Sequence, residues 1–394
     1  MDGSRMLSGN SDLTAPQERH GDIRVLFDLS IIPHAVGGVS RYLLSVAEAL
    51  LGVADSLEID FHTLDVPAAH PGVPGPEMNS LLLDTPFYLK IPFFRRLPIR
   101  KRWEERSRSR RLREISGGNS IFHHSGVQPE YPRGSVSVIT VHDLSALENP
   151  QWHKNETVAF AEKEARLIEG GSSVMTNSEW TRRRVMDYFA LPSERVFSAG
   201  GAACSIFSPG TPSCEVMKDL GLEPGGFLLH VGNFVPRKNI PFLLDVYRRS
   251  REKGVEIPLV LVGAGGWGEV AVDEGAGVRV LKSIPDNALV ELYRGARALL
   301  YPSIFEGLGL PALEAFACGT PVISSNATAL ADTVGKDGIQ LYPDDHQAWV
   351  EEIIALEEPQ RVDELRIMSS AAVRKDWNDI ARGICGFYRR ISGS

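Results

Sequence analysis

The regular alternation of short apolar segments with amphipathic segments constrains this chain more than any other feature. Apolar strands are predicted at 23–29, 57–64, 136–141 and 174–177, and then at 227–231, 259–262, 278–281, 298–301 and 321–324. Helical patterns separate them, at 40–51, 179–189, 240–250, 286–296 and 311–317. Strands that alternate with helices in this way favour a parallel sheet covered on both faces. The fold class is therefore predicted to be α/β.

The alternation occurs in two sets. A segment rich in Gly, Ser and Pro, residues 200–216, separates them. We predict two Rossmann-like domains, at 22–205 and 217–374, with a final helix at 377–391 that returns to the first domain. Residues 1–21 are polar and are interpreted as a flexible tail rather than a secretory signal. Ligands of such sheets collect beyond the carboxyl ends of the strands, where the motifs described below lie.

Composition excludes some classes of protein. No window approaches 18 uncharged apolar residues, so no membrane span is predicted. The four cysteines, Cys204, Cys214, Cys318 and Cys385, are scattered without a C-x-x-C pair, which is typical of reduced thiols in a cytoplasmic protein. The net charge of −8 makes nucleic acid an unexpected partner.

The segment SIFEGLGLPALEAFACGTPVISS follows the strand at 298–301. Pro311 suits a first helical turn, so the amides of residues 307–310 are predicted at a helix N-terminus, which favours phosphate. Glu306 lies just before this turn and Glu314 is predicted within it. Both carboxylates are suited to accept hydrogen bonds from ligand hydroxyls. On the residues alone, an ordinary strand–helix connection is an equal alternative.

The spacing Glu306-x7-Glu314 in this segment resembles the signature of the retaining glycosyltransferases of family 4, which have the GT-B fold. VGNFVPRKNIPFLL, GGVSRYLLSVAEAL, VHDLSAL, TNSEWTRRRV and DWNDIARGICGFYRRI resemble further segments of that family. The resemblance runs from about residue 23 to 391. It implies two Rossmann-like domains facing across a cleft. The N-terminal domain would bind the acceptor, and the C-terminal domain would bind the nucleotide sugar.

The resemblance also implies roles for single residues. Arg237 and Lys238 would neutralise the nucleotide diphosphate as it leaves, and Glu306 would hold hydroxyls of the donor sugar. His142 would sit beside that sugar, near the reaction centre. The implied donor-binding residues are Gly37, Gly38, Gly307, Leu308, Gly309, Leu310 and Glu314, the last on the ribose hydroxyls. The family often has Gly-Arg where this chain has Gly232-Asn233, and Phe where it has Leu308.

Metal is not expected. Asp-x-Asp, the motif with which metal-dependent GT-A transferases hold a divalent ion, occurs nowhere in the sequence. Arg237, Lys238 and a helix N-terminus can carry the charge of the diphosphate instead. We expect no cofactor, only a nucleotide-sugar substrate, and transfer with retention of anomeric configuration.

Gly263–Gly268 reads GAGGWG and matches the dinucleotide-binding pattern G-x-G-x-x-G. A poor helix pattern and no strand-ending acid follow it, so an NAD-dependent oxidoreductase is a weak alternative. A non-catalytic protein that binds sugar nucleotides is another.

The sequence constrains the sugar donor, the acceptor and other partners less than it constrains the fold. The combination of HDLSAL, PRKN and G-x-x-G-W resembles bacterial transferases of surface polysaccharide assembly, which favours GDP-mannose over UDP-glucose-type or dTDP-rhamnose donors. The acceptor is expected to be a saccharide or a lipid-linked saccharide. Residues 87–113 combine aromatic side chains with a basic block; its core, residues 95–113, holds ten Lys or Arg and two Glu. Such a segment can make a peripheral contact with the inner face of the membrane, and a solvated helix is the alternative interpretation.

Overall fold

The computed structural model describes residues 23–29, 37–64, 80–81, 120–124, 134–263, 272, 275, 277–282, 284–370 and 375–393. The tail at 1–21, the aromatic and basic stretch at 87–113 and residues 264–268 of the GAGGWG motif lie outside the described residues.

The N-terminal sheet has seven parallel strands in the described residues. They are β1 (Ile23–Asp28), β2 (Ile59–Leu64), β3 (Ser80–Leu81), β4 (Ser120–His124), β5 (Val136–Val141), β6 (Ser173–Thr176) and β7 (Val196–Ser198). Their order is β3-β2-β1-β4-β5-β6-β7. The inner strand β1 pairs in parallel with both β2 and β4, and Val25 stands opposite Phe61 and Ile121. Helices cover this sheet, which makes the first domain a three-layer α/β unit.

The helices of this domain are α1 (Gly38–Ala54), α2 (Ser145–Glu148), α3 (Asn155–Glu169) and α4 (Glu179–Phe189). The Ser178 hydroxyl caps α4 by accepting a hydrogen bond from the Thr181 amide at 3.0 Å, as its N-cap position predicts. The strand predicted at 57–64 is shorter in the structure. A 3₁₀ turn occupies Asp55–Leu57, and Glu58 adopts φ 51°, so β2 begins at Ile59.

The second sheet has six parallel strands in the described residues. They are β8 (Leu228–Val231), β9 (Leu259–Val262), β10 (Val278–Leu281), β11 (Ala298–Tyr301), β12 (Val322–Ser325) and β13 (Ile339–Leu341), in the order β10-β9-β8-β11-β12-β13. The helices are α5 (Cys214–Asp219), α6 (Ile240–Glu252), α7 (Asp286–Gly295), α8 (Leu310–Ala317), α9 (Leu330–Val334), α10 (His346–Ala355) and α11 (Pro359–Ser370). Helix α5 begins inside the Gly-, Ser- and Pro-rich segment, so that segment is not all loop. A hydrophobic core lies on each face of this sheet.

The last helix, α12 (Trp377–Ser392), packs against α1 and belongs to the core of the N-terminal domain. The Tyr388 hydroxyl lies 2.6 Å from Nδ1 of His123, which is fully buried on β4. Within the described ranges, no helix is long and apolar enough to cross a membrane.

Candidate active site

Two loops of the C-terminal domain bring three charged side chains together. Arg237 and Lys238 lie in a 3₁₀ turn that follows β8, and Glu306 lies between β11 and α8. Because β8 and β11 are neighbouring parallel strands, both loops leave the same edge of the sheet. Lys238 Nζ donates to Glu306 Oε1 at 2.6 Å, and Arg237 Nη1 donates to Glu306 Oε2 at 2.9 Å. These residues form what we call the cationic cluster.

Two of the three charges of the cationic cluster are buried, since Glu306 is 5% exposed and Lys238 is 7% exposed, whereas the Arg237 side chain is 24% exposed. Burial alone would raise the pKa of Glu306, but Lys238 and Arg237 lower it to about 2. Burial lowers the pKa of Lys238 to about 8, an effect that Glu306 opposes and Arg237 reinforces. The carboxylate has two cationic partners and the ammonium one anionic partner. The cluster therefore keeps a net positive charge at neutral pH.

Tyr301, the last residue of β11, completes the cationic cluster, and its role was not predicted from the sequence. Its hydroxyl accepts from Lys238 Nζ at 2.5 Å and donates to Glu306 Oε1 at 3.0 Å. Its position at the carboxyl end of a strand before the glycine-rich loop was the available signal. The hydroxyl fixes the Lys238 ammonium and the carboxylate in one arrangement.

The loop from Glu306 to α8 is held by both backbone and side-chain bonds. The Thr328 hydroxyl accepts from the Glu306 amide at 2.8 Å and donates to the Glu306 carbonyl at 3.0 Å. Gly309 has φ 89° at the N-cap, and α8 begins at Leu310. Glu314 therefore lies in the second turn of the helix rather than in the first turn, where the sequence pattern predicted it.

Glu314 is 1% exposed and is separate from the cationic cluster. Its Oε2 accepts from the Tyr293 hydroxyl at 2.9 Å, and its Oε1 accepts from Arg41 Nη1 at 2.5 Å. Arg41 also donates to Asp286 Oδ1 at 2.5 Å. The two glutamates thus bind different cations, and the partners of Glu314 were not found by sequence reasoning.

The two domains touch at Gly307. A Cβ atom on Gly307 would lie 1.9 Å from the carbonyl oxygen of His142, so only glycine allows this approach. The Thr181 hydroxyl donates to the Gly307 carbonyl at 3.1 Å. Burial lowers the pKa of the His142 imidazole to about 4, although Asp143 acts in the other direction. The exit loop of β5, which carries this neutral imidazole, therefore lies next to the loop that carries Glu306.

The remaining predicted donor residues lie around this interface. Gly37 has φ 98° just before α1, which a side chain would strain. Leu310 Cδ1 lies 3.5 Å from the position of a Cβ on Gly38. Leu308 is buried and packs against Gly201 of the N-terminal domain. Leu308 and Leu310 thus serve as interdomain packing contacts through their side chains.

Glycine is required for a structural reason at residue 263, the first position of the GAGGWG motif. A Cβ at this position would lie 2.1 Å from the carbonyl oxygen of Gly232, in the loop that leaves β8. The close approach of two exit loops therefore requires glycine at residue 263. Within the described part of the chain, no group of three or more His, Cys, Asp or Glu side chains is arranged to hold a metal ion.

Two parallel-sheet domains with a cationic cluster at their interface define the GT-B class of fold. Residues 215–375 match the family model "Glycosyl transferases group 1", and the predicted resemblance to GT-B glycosyltransferases is confirmed. Sucrose-phosphate synthase from Thermosynechococcus elongatus shares the fold with a TM-score of 0.66 and 19% identity, over 93% of this chain and 98% of that structure.

Two curated relatives are similar in sequence. O-antigen chain mannosyltransferase B of Escherichia coli is 34% identical over 54% of this chain and 58% of its own length. D-inositol 3-phosphate glycosyltransferase of Acidothermus cellulolyticus is 27% identical over 72% of this chain and 69% of its own length. The match thus spans little more than half the length of the mannosyltransferase. The similarity to group 1 glycosyl transferases is thus shown for residues 215–375, which include all six strands of the second sheet.

Proposed function

We propose that this protein is a retaining glycosyltransferase that moves a hexose from a nucleotide sugar to a saccharide or lipid-linked acceptor. The observation that carries the proposal is the cationic cluster beside His142 at the contact between the domains. Arg237 and Lys238 supply positive charge at the carboxyl edge of the second sheet. Positive charge held in place before reaction stabilises the anion that develops as a diphosphate leaves.

The transfer breaks the bond between C1 of the sugar and the diphosphate oxygen, and both electrons stay with the diphosphate. The acceptor oxygen forms a new bond to C1 on the same face, and its proton passes to the departing phosphate. Arg237 and Lys238 hold the diphosphate. The lone pairs of the Glu306 carboxylate oxygens that remain available accept hydrogen bonds from sugar hydroxyls. In this scheme His142, neutral at physiological pH, accepts or donates one hydrogen bond to the sugar. No metal takes part in this scheme.

Mannose from GDP-mannose is the proposed donor. The similarity to an O-antigen mannosyltransferase supports it, and it agrees with the motif combination HDLSAL, PRKN and G-x-x-G-W. The proposed setting is polysaccharide assembly at the cytoplasmic face of the membrane. UDP- and dTDP-sugars are the alternative donors within the same fold.

A first experiment is thermal unfolding of the purified chain with GDP, UDP, dTDP, ADP or NAD, each with and without Mg²⁺. A ligand at ~100 times its Kd adds about 2.7 kcal/mol of stability. We expect GDP to raise the Tm without magnesium. A shift with NAD alone, or with none of these ligands, would contradict the proposal, and a magnesium requirement would contradict its metal-free form.

Transfer is then measured with radiolabelled GDP-mannose and a panel of mannosides, with anomeric configuration assigned by NMR. Lys238→Met should abolish transfer, while Glu364→Gln, which alters a surface ion pair with Arg361 on α11, serves as a control. Binding of GDP-mannose without turnover on any acceptor would favour a non-catalytic sugar-nucleotide-binding protein.

An inositol phosphate is the second candidate acceptor. It is favoured by the similarity to a D-inositol 3-phosphate glycosyltransferase, which covers more of this chain than the mannosyltransferase does. Including D-inositol 3-phosphate in the acceptor panel distinguishes the two candidates directly.

A further inference from the structure

Arg41 joins the two domains through a single guanidinium group. It lies in the first turn of α1, and its Nη1 is 2.5 Å from Glu314 Oε1 on α8. Its Nη2 is 2.5 Å from Asp286 Oδ1, the first residue of α7. One side chain of the N-terminal domain thus holds two carboxylates of the C-terminal domain, and it does so with charge-assisted hydrogen bonds.

The burial of its neighbours shows that Arg41 also covers Glu314. The Tyr293 hydroxyl bonds the other carboxylate oxygen, and Tyr293 is 0% exposed within the core of the second domain. The side chain of Arg41 is 25% exposed, against 1% for Glu314. Of the two described side chains that bond Glu314, Arg41 is therefore the one on the solvent side. A ligand hydroxyl can reach the carboxylate only after the guanidinium moves.

We propose that Arg41 controls the access of the nucleotide ribose to Glu314, so that ribose binding must break an ion pair that holds the domains together. The inference rests on the proposed function, since it takes Glu314 as the carboxylate that binds ribose. A ligand shifts a conformational equilibrium only by its differential affinity for the two states. Ribose hydroxyls that bind Glu314 only when Arg41 has left therefore couple nucleotide binding to opening of this contact.

Arg41 has a second effect on the carboxylate that it covers. Burial raises the pKa of Glu314, and Asp286 raises it further. Arg41 is the largest influence that lowers this pKa, and the Tyr293 hydroxyl also lowers it. Arg41 thereby favours the charged carboxylate while it blocks the approach of a ligand. When the guanidinium leaves, the carboxylate loses this stabilisation, and hydrogen bonds from the ribose hydroxyls would have to replace it.

The test compares Arg41→Gln with wild type in the full chain. Its readout is the ratio of the Kd of 2′,3′-dideoxy-GDP to that of GDP, measured by calorimetry at one salt concentration. This ratio isolates the contribution of the ribose hydroxyls, because contacts with the phosphates and the base cancel. In wild type the hydroxyls must displace Arg41. In Arg41→Gln the hydroxyls no longer compete with a guanidinium for Glu314. We therefore expect the ratio to rise by about fivefold or more, which is the lower end of typical coupling between two sites.

Arg183→Gln is the matched control, because Arg183 and Asp332 form another ion pair between the domains, at 2.9 Å, in which both side chains are exposed. Its ratio should equal that of wild type. An unchanged or smaller ratio in Arg41→Gln would overturn the inference while leaving the proposed function intact. If wild type binds none of the nucleoside diphosphates tested, the proposed function fails and takes the ribose role with it.

Small-angle X-ray scattering tests the interdomain contact without nucleotide. Arg41→Gln should increase the radius of gyration more than Arg183→Gln does, and an equal value in all three proteins would count against the inference. If Arg41→Gln does not fold, Asp286→Asn removes one of the two Arg41 partners without touching Glu314. The ratio of Kd values should then rise by a smaller factor, and no rise would overturn the inference.

Discussion

Lys238 Nζ and Glu306 Oε1 lie 2.6 Å apart, although 68 residues separate them in the chain. The Glu306 carboxylate also binds Arg237, so one buried anion pairs with two cations at neighbouring positions of the same turn. A buried charge without a partner is costly, and removing one member of a buried pair costs more than the pair gains. The cluster therefore links the stability of the second domain to the charge of its proposed diphosphate site.

Glu306→Gln should lower the free energy of unfolding by about 3–5 kcal/mol at pH 7, because it leaves the buried Lys238 and the partly exposed Arg237 without an anion. The pKa of Glu306 is lowered to about 2, so its stabilising contribution is complete above the unfolded value of 4.5 and is lost as the pH falls towards 2. The difference between wild type and variant should shrink over this range. Urea unfolding at pH 7 and pH 3.5 measures it.

The exposed pair of Glu364 and Arg361 provides the control, since its atoms are 3.7 Å apart and Glu364 is 56% exposed. Glu364→Gln should change stability by less than about 1 kcal/mol. Equal effects of the two substitutions would show that Glu306 is not the buried counter-ion that the structure describes.

The pH dependence of kcat/KM should report the charge of Lys238. Its pKa is lowered by burial to about 8, and a neutral amine cannot stabilise a departing diphosphate. Since kcat/KM reflects the free enzyme, it should fall as the pH rises through about 8. In Lys238→Arg the side chain stays charged, so the variant should be less active but should lack this alkaline limb. If the alkaline limb is unchanged in Lys238→Arg, it reports the titration of another group.

His142 should remain neutral through the physiological range, because burial lowers its pKa to about 4. We therefore expect no change in kcat/KM near pH 6.5 that depends on this residue. Proton NMR of the histidine ring signals, with the His142 signal identified by its loss in His142→Gln, measures the pKa directly. Titration of that signal near pH 6.5 would refute the neutral imidazole that the proposed mechanism uses.

Much of this architecture was predictable because local burial leaves a periodic signature. The strands at 298–301 and 227–231 were found from their apolar residues, and parallel neighbours place their exit loops at one edge. That rule brings Arg237 and Lys238 towards Glu306. The sequence pattern began α8 one residue too late, at Pro311, and so placed Glu314 in the first turn, because the start of α8 depends on Gly309 at φ 89° as the N-cap and a glycine-rich loop offers several such positions.

The contacts between the domains were beyond the reach of sequence reasoning. The sequence around Arg41 has the pattern of an ordinary helix N-terminus. Its partners Glu314 and Asp286 are 273 and 245 residues away in the chain. Hydrophobic periodicity describes how a helix meets its own sheet, but it carries no signal about how two separate sheets approach each other. The same holds for Gly307, whose lack of a side chain matters only because His142 belongs to the other domain.

Gly307→Ala tests whether that approach is needed for reaction. The added Cβ would lie 1.9 Å from the His142 carbonyl oxygen, which is backbone and cannot rotate away, so the domains must separate to accommodate it. Displacing reacting groups by about 1 Å can cost about 100-fold in rate. We expect kcat to fall by about that factor. The Kd for the nucleoside diphosphate should not rise, because its proposed site lies in the second domain and separation of the domains also withdraws Arg41 from Glu314. Gly386→Ala is the control, since nothing lies within 4 Å of a Cβ there and the residue is exposed on α12. It should leave kcat unchanged and raise stability by about 0.5–1 kcal/mol through helix propensity. A Gly307→Ala variant with wild-type kcat would mean that the Gly307–His142 contact is not part of the reactive arrangement.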